Sequence, residues 1–157
     1  MKIKLLLIGK TDEEYLKLVI DKYINRLKHY LTFEFFVIPD LKNTKNLSEE
    51  QQKQKEGELI LNHFNAGDYV VLLDEVRNEY TPLTFSLFIE KQMISGLKNL
   101  VFVVGGPYGF SREVYEKCNS KISLSSMTFS HQMIRLIFVE QLYRAMTIIK
   151  GEPYHHI

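Results

Sequence analysis

Residues 100–104, Leu-Val-Phe-Val-Val, are five apolar residues in succession, and they run straight into Gly105-Gly106-Pro107-Tyr108-Gly109. An unbroken apolar run of this length, bounded by glycine and proline, reads as a strand buried on both faces. Such a strand belongs in an α/β sheet, where binding crevices open outside the carboxyl ends of the strands. Glycine carries no Cβ, so the turn lets a ligand approach bare backbone. Taken alone, the turn fits a plain strand-to-helix connection slightly better than a ligand site.

The rest of the chain repeats the alternation. Residues 2–8 read as a first strand, followed by Thr11-Asp12-Glu13-Glu14, a capping-box pattern at a helix start. Leu16, Val19, Ile20, Tyr23, Ile24 and Leu27 then recur at helical spacing. A second strand, 33–38, is halted by Pro39, and Ser48-Glu49-Glu50-Gln51 opens a second, mostly polar helix with another capping box. Residues 69–73 form a third strand with Asp74 and Glu75 at its carboxyl end, and Thr81-Pro82 opens a third helix with proline at its favoured first position. Ser111 caps a short helix, residues 121–124 form a short fifth strand, and a long helix follows over 131–149, ~28 Å at 1.5 Å per residue. Gly151 and Pro153 stop it. Five alternations predict a mostly parallel sheet with helices on both faces, in one domain over residues 1–157.

The last helix carries two apolar stripes. One holds Ile134, Ile137, Phe138, Leu142 and Met146; the other holds Leu136, Val139, Tyr143 and Ile148. A surface helix needs only one stripe. The second predicts burial against another copy, a homodimer through the C-terminal helix; a central helix inside a monomer is the alternative.

Composition narrows the chemistry. The chain is 45% hydrophobic and 25% charged with a net charge of +1, which gives no bulk sign of nucleic-acid binding. One cysteine, Cys118, excludes an internal disulfide and fits a reducing, cytoplasmic setting. No apolar run reaches the ~18 residues of a membrane span. The five histidines show no metal-ligand spacing, so no metal site is expected. The glycine turn lacks both the dinucleotide fingerprint and the Lys-Ser/Thr of a P-loop. What remains is a cluster of backbone, hydroxyl and apolar groups: the Gly105 turn, the loop from Ser125 to Ser130, and the tail from Gly151. It suits a cofactor with a flat base and a sugar, held by main-chain hydrogen bonds. The alternation alone also allows a flavodoxin-like nucleotide-binding protein.

The residues in these segments resemble those of the RlmH family, small bacterial 23S rRNA pseudouridine N3-methyltransferases of the SPOUT superfamily. The resemblance rests on Val104-Gly105-Gly106-Pro107-Tyr108-Gly109, on residues 124–135 (Leu-Ser-Ser-Met-Thr-Phe-Ser-His-Gln-Met-Ile-Arg), on Glu140-Gln141-Leu142-Tyr143-Arg144-Ala145, and on Pro153-Tyr154-His155. Lys55-Glu56-Gly57-Glu58 and Leu73-Asp74 extend it over the chain. It implies an α/β SPOUT fold with a C-terminal trefoil knot, a topology that no periodicity argument would propose. It also implies S-adenosylmethionine as methyl donor, a homodimer, and 23S rRNA within the ribosome as partner. Carried across, the cofactor-binding positions are Leu73, Gly105, Leu124, Ser125, Ser126, Met127, Thr128 and Phe129. The catalytic nominations are His155 as base or orienting donor, Arg144 to stabilise negative charge, and Tyr154 to stack on or hydrogen-bond the target base. Arg144 has an alternative partner in Glu140, four residues earlier. Lys42, Lys45, Lys53, Lys55, Arg77, Arg112, Lys117 and Lys150 are candidate phosphate contacts. Ser130 stands where the family commonly has proline, which predicts a looser loop. A non-catalytic module that binds S-adenosylmethionine or RNA is the other function class.

Overall fold

The computed structural model describes residues 1–76 and 78–156; Arg77 and Ile157 lie outside the described residues. Five strands, Lys2–Ile8 (β1), Thr32–Ile38 (β2), Tyr69–Leu73 (β3), Asn99–Val104 (β4) and Ser120–Ile122 (β5), form one sheet in the order β2-β1-β4-β3-β5. Every pairing among them is parallel. The helices are Glu14–Leu27 (α1), Glu49–Leu61 (α2), Pro82–Ile94 (α3), Arg112–Lys117 (α4) and Met133–Lys150 (α5). The short fifth strand therefore starts one residue earlier and ends two residues earlier than its sequence pattern predicts, before Ser123.

The central strands are apolar throughout because both of their faces are covered. Successive side chains on a strand point to opposite faces. Ile3, Leu5 and Leu7 of β1, with Leu100 and Phe102 of β4, pack with residues of α1, α3 and α5. Leu6, Val101 and Val103 point the other way and pack with Ile60 of α2 and Val114 of α4.

Helix α5 lies between α1 and α3 on the sheet. Phe138, Val139, Leu142, Ala145 and Met146 are all buried there, with Leu136 and Tyr143 packed alongside. Both predicted stripes are thus largely used inside one protomer, against the sheet and the two flanking helices. A central helix accounts for them, and they do not by themselves argue for a dimer.

Three capping expectations hold, Ser111 accepting from the Val114 amide at the start of α4 among them, and one fails. Ser48 and Gln51 form a reciprocal capping box, as do Thr81 and Thr84 with Pro82 in the first turn. The Thr11–Glu14 pattern does not form one: α1 has Glu13 at its N-cap with no side-chain cap. The Thr11 hydroxyl is instead committed to Arg135 of α5, whose Nη1 donates to it at 3.2 Å. Arg135 also donates to the Ile8 and His131 carbonyls and is 1% exposed. Burial lowers its pKa below the usual guanidinium range, opposed by nearby Asp12 and Asp40. This cation ties the end of β1 to the start of α5.

The chain between β5 and α5 crosses the carboxyl end of the sheet. The Ser123 amide donates to Asn78 O, and the Ser123 hydroxyl to Glu75 O and Ser125 O. Further on, Gln132 donates to Lys10 O and accepts from the Asp12 amide, beyond β1. The segment therefore spans from edge strand β5 past β3 and β4 before α5 begins.

Candidate methyl-donor pocket and tail cluster

Strands β4, β3 and β5 are neighbours, so the segments that leave their carboxyl ends converge. They enclose a cavity of about 520 Å³. Leu73, Gly105, Leu124, Ser125, Met127, Thr128 and Phe129 all border it. Ser126 does not; it is exposed, because the Ser125 hydroxyl accepts from the Met127 amide and turns the intervening residue outward. Ser130 does not loosen the loop: its hydroxyl accepts from the Met133 amide at 3.1 Å, and its carbonyl from the Ile134 amide, so it caps the approach to α5.

The glycine turn has a physical role that differs from the expected bare approach to ligand. A Cβ at Gly105 would lie 3.2 Å from the buried Phe110 ring, and one at Gly106 would lie 2.5 Å from Glu56 Oε2. Glycine is required so that the turn can seat on what lies beneath it. Glu56 is 4% exposed, and its Oε1 has no hydrogen-bond partner. Burial raises its pKa above the usual carboxylate range, partly offset by a hydrogen bond from Gln52. This carboxyl sits behind the cavity wall.

Sequence reasoning missed two acidic groups on the wall itself. Asp74 accepts from the Tyr115 hydroxyl at 2.8 Å, and Glu75 accepts from Thr128 at 3.3 Å. Their position directly after β3 was the available signal.

Arg144, Tyr154 and His155 do not border the cavity. Helix α5 starts beside it at Ile134 and carries the chain away; Arg144 is ten residues further on, ~15 Å along the axis. Gly151 takes the left-handed conformation that ends the helix, with φ +69°. The tail then folds back on α1 and α5, where the Tyr30 hydroxyl donates to Glu152 at 2.5 Å.

The three nominated groups do meet one another. Arg144 Nη2 donates to Glu140 at 2.5 Å, and Nη1 lies 3.1 Å from His155 Nδ1. Arginine can only donate, so Nδ1 accepts and the proton of a neutral ring sits on Nε2. In this arrangement Nε2 of a neutral ring presents a donor and not an acceptor. The Tyr154 hydroxyl donates to Glu140 at 2.9 Å and lies 3.2 Å from the Tyr23 hydroxyl. Burial, then its bonds to Tyr23 and Glu140, raises the Tyr154 pKa, so the phenol stays a donor. Its ring is packed edge-on against Tyr143 and lies under the Arg144 guanidinium at 4.8 Å. Glu140 is therefore the hub of the cluster. Its spacing to Arg144 was legible in the sequence; its bond to Tyr154 was not.

Among the described residues no group of three or more side chains is placed to hold a metal ion, and no helix is long and apolar enough to cross a membrane. A family model described as "Predicted SPOUT methyltransferase" matches residues 1–155. The chain belongs to the SPOUT methyltransferase family. Among similar SPOUT proteins, ribosomal RNA large subunit methyltransferase H of Parabacteroides distasonis is 64% identical over 156 residues, 99% of each chain. The proteins of the same name from Christiangramia forsetii and Flavobacterium johnsoniae are 62% and 57% identical over the same coverage. The SPOUT match extends through both the glycine turn and the tail cluster, so the two regions belong to one family pattern.

Proposed function

We propose that this SPOUT protein is an S-adenosylmethionine-dependent methyltransferase of large-subunit rRNA, acting on N3 of a pseudouridine in the assembled ribosome. The observation that carries the reading is the cavity at the carboxyl ends of β4, β3 and β5, walled by backbone, hydroxyl and apolar groups at the positions the family pattern assigns to the methyl donor. That donor set suits a flat base and a sugar.

S-adenosylmethionine, when bound, supplies a methyl group on sulfonium sulfur, which takes back the bonding electron pair as a nucleophile attacks. Leu73, Leu124 and Phe129 would hold its apolar surface, and the loop backbone with Ser125 and Thr128 its polar atoms. The target imide nitrogen must give up its proton before it can attack, and with His155 Nδ1 engaged by Arg144 that proton would pass to solvent water. The Arg144 guanidinium would stabilise the resulting anion, and His155 Nε2–H would orient it. Tyr154 and Glu140 would fix Arg144 in place.

These groups stand far from the cavity of their own protomer, which supports a homodimer in which the tail of one copy faces the pocket of the other. Outward residues support the same arrangement: Met133 and, on α1, Tyr15, Leu18 and Val19 are exposed, and Ile137 and Ile148 of α5 lie half-buried. A second copy would cover them. The crossing segment after β5 supports a threaded, knotted C-terminus and one domain throughout. A cytoplasmic location follows from the substrate.

The reading is tested by mass spectrometry of 23S rRNA from a strain lacking the protein, with methyl transfer from tritiated S-adenosylmethionine to its ribosomes. A missing N3-methylpseudouridine, restored by the purified protein, is expected. Ribosomes that take up no methyl group would overturn it. Naked rRNA is expected to be a poor substrate.

A further inference from the structure

An exposed aromatic side chain stands at the cavity mouth without a ring partner, whereas Phe129 on the same wall is half-buried. Tyr108 borders the cavity yet is 42% exposed. Tyr115, Tyr143 and Tyr154 each pack on another ring, whereas Tyr108 makes no ring contact or hydrogen bond among the described residues. The segment that carries it is firmly held. Gly109 N donates to Gly106 O at 3.2 Å, closing a turn over Pro107 and Tyr108. Pro107 fixes its own φ, and Gly109 supplies the positive φ of +83° that the turn requires. Beneath the turn, Phe110 and Glu56 fill the spaces that side chains on Gly105 and Gly106 would occupy.

The loop after β5 brings a second exposed apolar group to the same mouth: Met127 borders the cavity and is 75% exposed. A ring on a backed turn and a thioether on the loop leave an apolar opening above a mixed apolar and hydroxyl-bearing interior. None of the described residues that border the cavity is Lys or Arg, so this wall offers no fixed cation to phosphate. What suits such an opening is the flat face of a nucleobase. Unstacked bases are recognised by stacking on aromatic side chains, largely independent of charge.

We propose that Tyr108 is the stacking platform for the rRNA base that enters the methyl-donor pocket, with Met127 bordering the same slot. This rests on the methyltransferase reading above. The base leaves its neighbours in the RNA and lays one face on the Tyr108 ring, which sets the height at which its edge meets the cavity. Tyr108 thereby contributes to substrate affinity and not to cofactor affinity.

Steady-state methylation of ribosomes from the deletion strain tests this with Y108A, Y108F and Y108L, alongside calorimetry of each free protein with S-adenosylmethionine. The expected result is a KM for ribosomes raised about 5- to 150-fold in Y108A, with a much smaller change in kcat. Y108F, which keeps the ring face, is expected to recover most of that affinity, and Y108L little of it. The calorimetric Kd for S-adenosylmethionine should move by less than about twofold in all three. A Y108A protein with unchanged KM, or one whose cofactor Kd weakens as much as its KM, overturns the assignment; the second result would make Tyr108 part of the cofactor wall. A wild-type protein that methylates no ribosome would instead break the proposed function itself.

Discussion

The two ends of helix α5 are built from opposite materials. At its start, the cavity wall is mainly backbone, glycine, hydroxyls and apolar side chains, with Asp74 and Glu75 its acidic members. At its far end, Arg144, Glu140, Tyr154 and His155 form a hydrogen-bonded polar cluster with Tyr23 at its edge. The first region offers shape and main-chain hydrogen bonds, which hold a ligand without reacting with it. The second offers a cation, donors and a carboxylate, which act on charge. One stiff helix separates them by ~15 Å, and under the proposed reading a site would need the pocket of one copy and the tail of another.

Removing one region while sparing the other is the sharpest test of this division. Deleting residues 151–157 should reduce methyl transfer by a factor of at least ~10³, because it removes His155 and the hydroxyl that braces Glu140. Cofactor affinity, measured by calorimetry, should stay within about tenfold, ~1.4 kcal/mol. A truncated protein with full activity would remove the tail from the chemistry.

The converse change is Gly105→Val. Its side chain must displace the buried Phe110 ring or push the turn into the cavity. We expect cofactor affinity to fall at least tenfold, ~1.4 kcal/mol, and activity to fall with it. Because Phe110 is core, some loss of thermal stability should accompany this. Mixing the truncated and Gly105→Val proteins should restore activity to about a quarter of wild type, the share of sites that random pairing makes whole in a two-fold dimer. No recovery in a mixture shown by native mass spectrometry to contain heterodimers would mean that pocket and tail act within one chain.

A smaller effect concerns what lies behind the pocket wall. Gly106→Ala should cost about 1–3 kcal/mol of stability through overlap with Glu56. The double variant with Glu56→Ala should lose less than the sum of the single losses, as expected for touching residues in a denaturant double-mutant cycle. Glu56 also makes stability depend on pH. Its folded pKa is raised, so its full contribution is present below the unfolded carboxylate range and is lost as pH rises through the raised value. Glu56→Gln should match wild type near pH 4 and exceed it in melting temperature at neutral pH. Asp40 also faces this group and should add to the rise.

The smallest effect is expected on the exposed face of α4. Arg112 pairs with Glu116 one turn away on α4, both side chains being exposed. Arg112→Ala should change stability by less than ~0.5 kcal/mol in chemical denaturation. A larger loss of methylation than of stability would return Arg112 to the phosphate contacts considered from sequence.

Much of the fold was legible in the chain because its signals are local. The runs Leu5-Leu6-Leu7-Ile8 and Val101-Phe102-Val103-Val104 are apolar on both faces, which requires helices above and below the sheet. Ser48, Thr81 and Pro82 marked helix starts that formed as read. Thr11 misled because a capping pattern does not reveal that a residue 124 positions away will take its hydroxyl. The stripes of α5 left a choice open: periodicity counts the buried sides of a helix but does not say whether α1 and α3, or another chain, covers them.

The sequence by itself determined which residues could build a site: the glycine turn, the hydroxyl loop and the Arg-Tyr-His set, each a run of neighbours whose chemistry is local. Only the tertiary structure decided their grouping. Strand order is set by pairing among distant segments, and it placed β4, β3 and β5 side by side, so that three loops close one cavity. The length and direction of α5 then set the tail apart from that cavity. Contacts between residues far apart in sequence depend on how whole elements pack, and that information is spread over the entire chain.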